Sequence, residues 1–328
     1  MTDSIGNLNG LIVAYVLDGK GSGRTIDSVG IQRWTKEQGV LWAHFDMRGA
    51  DTPQWLTQHS GLEPLVAEAL LAEETRPRSS TLGEGLLVVL RGVNLNPGAN
   101  PEDMVSIRLW IDQTRIISVR IRKLLSVDDV RDAIEKNLGP KSSAEFLALL
   151  CERLVARMSH AIETIDDTVD ALQEKILSHE SYQLRGIIAG VRREIIVIRR
   201  YLAPQRDAIS RLVSEQVSWI TAAERMRLRE IADRMTRYVE DLDSARERAA
   251  VTQEELMGRL SEQLDKRMYL LSLVAAIFLP LGFLTGLLGI NVGGIPGANN
   301  HWSFAIVTAA LIGVVVTQVV IFKMKKWM

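Results

Sequence analysis

Cysteine is almost absent from the chain: Cys151 is the single one in 328 residues. No disulfide can form within one chain, which fits a reducing compartment. Around it, Phe146, Leu147, Leu149, Leu150 and Leu154 make an apolar helical stretch. Cys151 therefore reads as a small buried hydrophobe rather than a reactive thiol. Histidine is scarce as well. His44, His59, His160, His179 and His301 show no HxxxH spacing, and no CxxC pair exists, so the usual zinc-ligand patterns are missing. Nucleophile-elbow and kinase signatures are also lacking. The glycines of Gly19–Gly23 do not have the order of a phosphate loop, and no helix is predicted to follow them, so they read as a hairpin turn. An enzyme is not expected, nor any cofactor bound for catalysis. The N-terminal MTDSIGNLNG has neither the basic stretch nor the apolar core of a signal peptide.

Charge is distributed unevenly. The formal net charge is −1, yet residues 268–322 contain no Asp, Glu, Lys or Arg. Residues 1–267 hold 40 acidic and 36 basic groups. That mild acidity argues against nucleic acid as a partner, because phosphate binding needs a basic face. Within the uncharged stretch, residues 268–290 and 302–322 each have the roughly 20 apolar residues that cross a bilayer as a helix. Lys266 and Arg267 precede the first span, and Lys323, Lys325 and Lys326 follow the second. The connecting loop, 291–301, has no Lys or Arg. The positive-inside rule then places both termini in the cytoplasm, with the loop outside and the lipid bilayer as a partner.

Two apolar helices cannot enclose a wet path alone, so transport would need several copies. The first span is the better pore candidate. It carries Pro280, Gly282, Gly286 and Gly289, which permit a bend and close packing, and Thr285 adds a hydroxyl. The second is rich in Val, Ile and Ala, as a lipid-facing helix should be, with Gln318 as its polar exception.

Upstream, strands are predicted at 11–17, 40–45 and 86–93. Alternation over 105–111, a turn at 112–114 and a return strand at 115–120 predict a hairpin with one buried face. Short helices are expected near 52–60 and 63–74, with a break at Arg76-Pro77-Arg78. A helix over 127–137 is expected to be capped by Ser126. These elements predict a cytoplasmic α/β domain over 1–140. A helical stalk region follows over 141–267, with helices over 142–177 and 181–213. Ser142–Glu145 and Thr221–Glu224 are capping boxes. From Thr221 the helical pattern runs to Ile290, about 105 Å at 1.5 Å per residue. Its seam of Leu228, Ile231, Met235, Tyr238, Leu242, Ala245 and Ala249 suits either another copy or the preceding helices of the same chain. Beyond the seam, Leu256, Leu260, Leu264 and Met268 step by four. Residues 323–328 form a basic cytoplasmic tail.

Three groups could act on cations. Glu163, Asp166, Asp167, Asp170 and Glu174 share one helical face, read either as a solvated face or as a metal-attracting one. Lys266, Arg267, Lys323, Lys325 and Lys326 anchor the topology and could also form a basic ring. Gly289-Ile290-Asn291 ends the first span. An Asn carboxamide there offers a neutral oxygen to a hydrated ion, or simply caps the helix.

The segment PLGFLTGLLGIN (280–291), followed by a short loop and a second span, resembles the CorA superfamily of divalent-cation transporters. Its Gly-Met-Asn hallmark reads Gly289-Ile290-Asn291 here. With GGIPG at 293–297 and an uncharged loop, the sequence is similar to the zinc-associated ZntB-type branch. EETRPR (73–78), LGEGLLVVLRGVN (82–94) and RRYLAPQRD (199–207) extend the resemblance over the whole chain. It implies a funnel-shaped homopentamer in the inner membrane, with an α/β domain, long stalk helices and a pore lined by the first spans. It also implies Zn2+ as the transported ion, with a magnesium or broad divalent-cation channel as the alternative in the same fold. A membrane-anchored sensor or scaffold is the alternative from another class. By position, Asn291 becomes the outer selectivity ring, and Leu279 and Gly282 face the pore, with Thr285 a further candidate. Many relatives bear a hydroxyl at the Gly282 position and acidic residues in the outer loop; this chain has neither. The direction of transport and any proton coupling stay open.

Overall fold

The computed structural model describes residues 8–177, 181–290, 295, 297 and 300–325. The chain divides into two compact units, residues 1–253 and 254–328. The first is built on a seven-stranded sheet. Its strands are β1 (Leu11–Leu17), β2 (Gly23–Thr25), β3 (Val40–Asp46), β4 (Arg78–Leu82), β5 (Gly85–Gly92), β6 (Val105–Ile111) and β7 (Arg115–Arg120). Their order is β2-β1-β3-β7-β6-β5-β4, with only the β3–β7 pair parallel. The Gly19–Gly23 segment does turn a hairpin: β1 pairs antiparallel with β2. Asp18 Oδ1 accepts from the backbone amides of Lys20 and Ser22 at 2.7 and 3.0 Å, while Gly19 and Gly21 adopt positive φ.

Helices cover both sheet faces. On one face, Leu41, Ala43 and Phe45 of β3 and Ile117 and Val119 of β7 pack with Trp55, Leu56, Val66, Ala67 and Leu70. These last five come from a helical turn at Trp55–His59 and from α3 (Pro64–Leu71), which follow the short helices α1 (Ser28–Arg33) and α2 (Thr52–Gln54). On the other face lie α4 (Leu125–Glu135) and α5 (Ser143–Leu177). There Trp42 meets Phe146 at 4.8 Å between ring centroids and stacks on Tyr15 at 5.7 Å. Leu124 and Leu154 close over Gly92 so tightly that a Cβ there would lie 2.8 and 2.9 Å from their side chains.

This double cover corrects one expectation. The 105–120 hairpin buries both of its faces, because β6 and β7 are interior strands: Ser106, Arg108 and Trp110 are buried along with Ile107 and Leu109. Arg108 is fully enclosed and donates to the carbonyls of Ala72 and Glu73 at 2.7 and 3.1 Å. Burial is the first cause that pushes its pKa down to about 10, and the nearby Arg91 is the second. A second correction concerns Ser126. It lies inside α4, buried, and Leu124 takes the N-cap position with no side-chain cap. Strand β4 was not predicted. It forms because Gly83, at φ +59°, allows the tight turn that pairs Leu82 with Gly85.

Three long helices follow: α5, α6 (Ser181–Ser214) and α7 (Ala222–Gly289), the last a single helix of 68 residues. Both boxes operate, each with altered partners. Ser142 Oγ accepts from Glu145 N at 3.1 Å, while the Glu145 carboxylate accepts from Lys141 N. Glu224 accepts from both the backbone amide and the hydroxyl of Thr221. In the first unit, Leu228, Ile231, Met235, Leu242, Ala245 and Ala249 of α7 are buried within the one chain, and Val239 replaces Tyr238 in the seam. Ion pairs of Arg227 with Glu152 and of Arg199 with Asp243 tie α7 to α5 and α6. Packing within the chain, rather than a second copy, thus occupies this seam. Further along α7, Leu264 and Met268 are exposed.

Candidate ion pathway

The second unit holds the uncharged part of α7 and helix α8 (Ser303–Met324), both long and apolar enough to cross a membrane. Phe278, Leu279, Phe283, Phe304, Ile306 and Ile312 are exposed by 59–85%. Large apolar side chains left this open belong against lipid or another protein surface.

On α7, Leu279, Gly282, Gly286 and Gly289 follow one another at intervals of three and four and so share a face. A Cβ placed on Gly282, Gly286 or Gly289 would meet nothing within 4 Å. The glycines expected to permit close packing are therefore not packed against α8; their face is open. Thr285 lies at its edge. Its hydroxyl donates back to the Leu281 carbonyl at 2.9 Å and the Gly282 carbonyl at 3.2 Å, and the residue is exposed. Bonds of this type bend a helix slightly, and Pro280 lies one turn earlier. Gly289 ends the helix, and Ile290 follows it, half exposed. Asn291, the expected selectivity residue, lies outside the described residues, as does Lys326. Lys266 and Arg267 are exposed just before the uncharged stretch of α7. Lys323, in the last turn of α8, and Lys325 just beyond it are exposed too.

In the first unit, the acidic face of α5 is not a row of solvated carboxylates. Arg248 of α7 bridges Asp166 and Asp170. Glu163, Asp167 and Glu174 remain exposed. Nearby, Asp241 has a raised pKa, from burial first and then from the Asp166 carboxylate. Among the described residues, no three His, Cys, Asp or Glu side chains come together where they could hold a metal ion.

The three strings upstream of the spans meet at one residue, Arg91. Its guanidinium donates to the Thr75 carbonyl within EETRPR at 2.9 Å and to the Met104 carbonyl at 3.0 Å. It also lies 4.2 Å from the ring centroid of Tyr201 within RRYLAPQRD. The Arg91 backbone amide donates to Gln205 Oε1 of the same string. These strings are therefore a structural junction between sheet and helix. Sequence reasoning did not find it, because nothing in the spacing reveals that three distant segments converge.

A family model described as CorA-like Mg2+ transporter protein matches residues 37–326. The divalent cation transporter CmaX of Pseudomonas aeruginosa is 40% identical over 331 residues, 98% of each chain. The zinc transport protein ZntB of Yersinia enterocolitica is 37% identical over 317 residues, 97% of this chain and 96% of that one. The solved structure of the full-length CmaX protein is similar with a TM-score of 0.85 at 40% identity, covering 98% of this chain and all of that one. With a family model matched over most of its length and full-length relatives of this identity, the chain belongs to the CorA-like Mg2+ transporter family.

Proposed function

We propose that this chain transports divalent cations, zinc among them, through a pore formed by a homopentamer in the inner membrane. The observation that carries the reading is the open glycine face of α7 at Gly282, Gly286 and Gly289. It lies at the end of a helix that runs from a soluble α/β unit into an uncharged span. In one copy that face has no neighbour from α8; around an axis, five copies would turn it inward. Leu279, Gly282 and Thr285 then line the path, and the Gly289-Ile290-Asn291 end forms its outer ring. A carboxamide ring replaces part of an ion's outer hydration without the deep well a carboxylate would create, so the ion can leave again. Lys266, Arg267, Lys323, Lys325 and Lys326 lie on the cytoplasmic side, as do both termini, and the 291–301 loop faces outward. Residues 1–140 and 141–267 form the cytoplasmic α/β domain and stalk of that assembly.

The ion itself is assigned from relatives. Zinc rests on the ZntB name, and a broader divalent range rests on the CmaX name at slightly higher identity. Zinc entry into proteoliposomes of the full chain, followed with an encapsulated fluorescent indicator, tests both. Entry is expected, and Asn291→Ala should lower it at least about tenfold if the ring sets passage. Unchanged entry in that variant would remove Asn291 from the pathway. Excess magnesium outside should leave zinc entry intact for a zinc transporter and suppress it for a broad one.

A further inference from the structure

Pro280 sits inside α7 with no backbone N–H to give, so the carbonyl of Ala276, four residues earlier, loses its intrahelical donor. In hydrocarbon no water can replace that donor, and an unsatisfied backbone group there is strongly unfavourable. The polar exception of α8 lies against this carbonyl. Gln318 Nε2 donates to the Ala276 oxygen at 3.3 Å. The hydroxyls of Thr285, Thr308 and Thr317 bond back to carbonyls of their own helices, whereas the Gln318 amide reaches across to the other helix. Its Oε1 is shielded and has no hydrogen-bond partner. The amide is thus held where its nitrogen is used and its oxygen is not, an arrangement that the Ala276 carbonyl explains and solvation does not.

The contact also sets the rotation of α7. At about 100° per residue, Ala276 lies roughly 110° around the helix from the line through Gly282, Gly286 and Gly289. Turning the Ala276 side toward α8 turns the glycine line away from it, which agrees with the empty space beside all three glycines. We propose that Gln318 is a positioning residue: it locks the two membrane helices of one chain together through the carbonyl that Pro280 frees, and so fixes which face of α7 is left for the ion pathway. The lock stands on the contact alone; its effect on transport rests on the reading of α7 given above.

A double-mutant cycle on the full-length protein tests it, with Gln318→Met, Pro280→Ala and the two combined. Pro280→Ala returns an N–H to the helix, so the Ala276 carbonyl no longer needs Gln318. Thermal midpoints of the purified protein and zinc entry into proteoliposomes are read for all four. With Pro280 present, Gln318→Met should lower the midpoint and slow zinc entry about threefold, in line with lost polar contacts between membrane helices. In the Pro280→Ala background it should do neither. Equal effects in both backgrounds, or none in either, would overturn the lock. Gln318→Glu gives a check that does not depend on Pro280→Ala. Its carboxylate repels the carbonyl, but its protonated form can donate, so its deficit relative to the native chain should shrink as pH falls. A deficit constant with pH counts against the lock. A coupled midpoint with no zinc entry in any protein would keep the lock and remove the pathway. Additive midpoints with intact zinc entry would do the reverse.

Discussion

The His44 ring lies fully buried beside Trp42, its Nδ1 2.8 Å from the Ser118 hydroxyl, which also accepts from Trp42 Nε1 at 2.9 Å. Burial pushes its pKa from 6.5 down to about 3, with Arg120 and Arg131 adding like-charge repulsion. The folded protein therefore holds His44 neutral, while the unfolded chain takes up a proton below pH 6.5. The folded pKa is depressed, so the contribution is complete above pH 6.5 and is lost as pH falls toward 3, at about 1.4 kcal/mol per pH unit. Urea denaturation followed through tryptophan fluorescence between pH 7 and pH 4 should show His44→Gln losing less stability on acidification than the native chain. Parallel losses would place the acid sensitivity elsewhere. Cys151 illustrates the same environment from the thiol side: fully buried, with its pKa pushed up to about 12 by desolvation, it has the inert character its apolar neighbours imply.

At the scale of elements, the Arg91 junction is where sheet, α6 and the loop before β4 are tied together. A lysine there would keep the charge but lose the planar fork that donates to Thr75 and Met104 and the stacking on Tyr201. Arg91→Lys should lower stability by about 1–3 kcal/mol, measured as a shift in the denaturation midpoint, while protein that remains folded keeps its divalent-cation flux. Loss of flux without loss of stability would contradict a structural role. The elements themselves were largely legible. Periodicity and length identified β1, β3, β5, the β6–β7 hairpin and the long helices to within a few residues. Strands β2 and β4 escaped because GRT and RSSTL have no apolar alternation of their own and exist only through pairing with β1 and β5. The burial of Arg108 escaped because alternation reports one covered face, and the second layer comes from segments far away in sequence. For the candidate site, Leu279 and Gly282 came from the resemblance, and the glycines of the first span were expected to pack closely. That the face of Gly282, Gly286 and Gly289 is open depends on where α8 lies, which spacing does not reveal. Nor does spacing reveal the bridging of Asp166 and Asp170 by Arg248, since it depends on how α7 lies against α5 within the first unit.

At the scale of the molecule, the uncharged span limits what can accompany the ion. Residues 268–322 contain no Asp, Glu, Lys or Arg, and His301 is the one histidine among them. Moving protons with the ion would require an ionisable relay inside the bilayer, where such groups serve transporters that use one. On the pathway proposed above, the ion crosses largely hydrated, past Leu279, Gly282 and Thr285, with charged groups only outside the hydrocarbon. Zinc entry into proteoliposomes, with the membrane potential clamped, should therefore be the same with and without an imposed pH gradient, in the native chain and in His301→Ala alike. Entry that rises with the gradient and loses that dependence in His301→Ala would locate a coupling step at the outer mouth. A dependence that survives His301→Ala would place the coupling on the acids of the first unit, with Glu163, Asp167 and Glu174 the first to replace. Only gradient-independent entry agrees with a passive, hydrated path through an uncharged span.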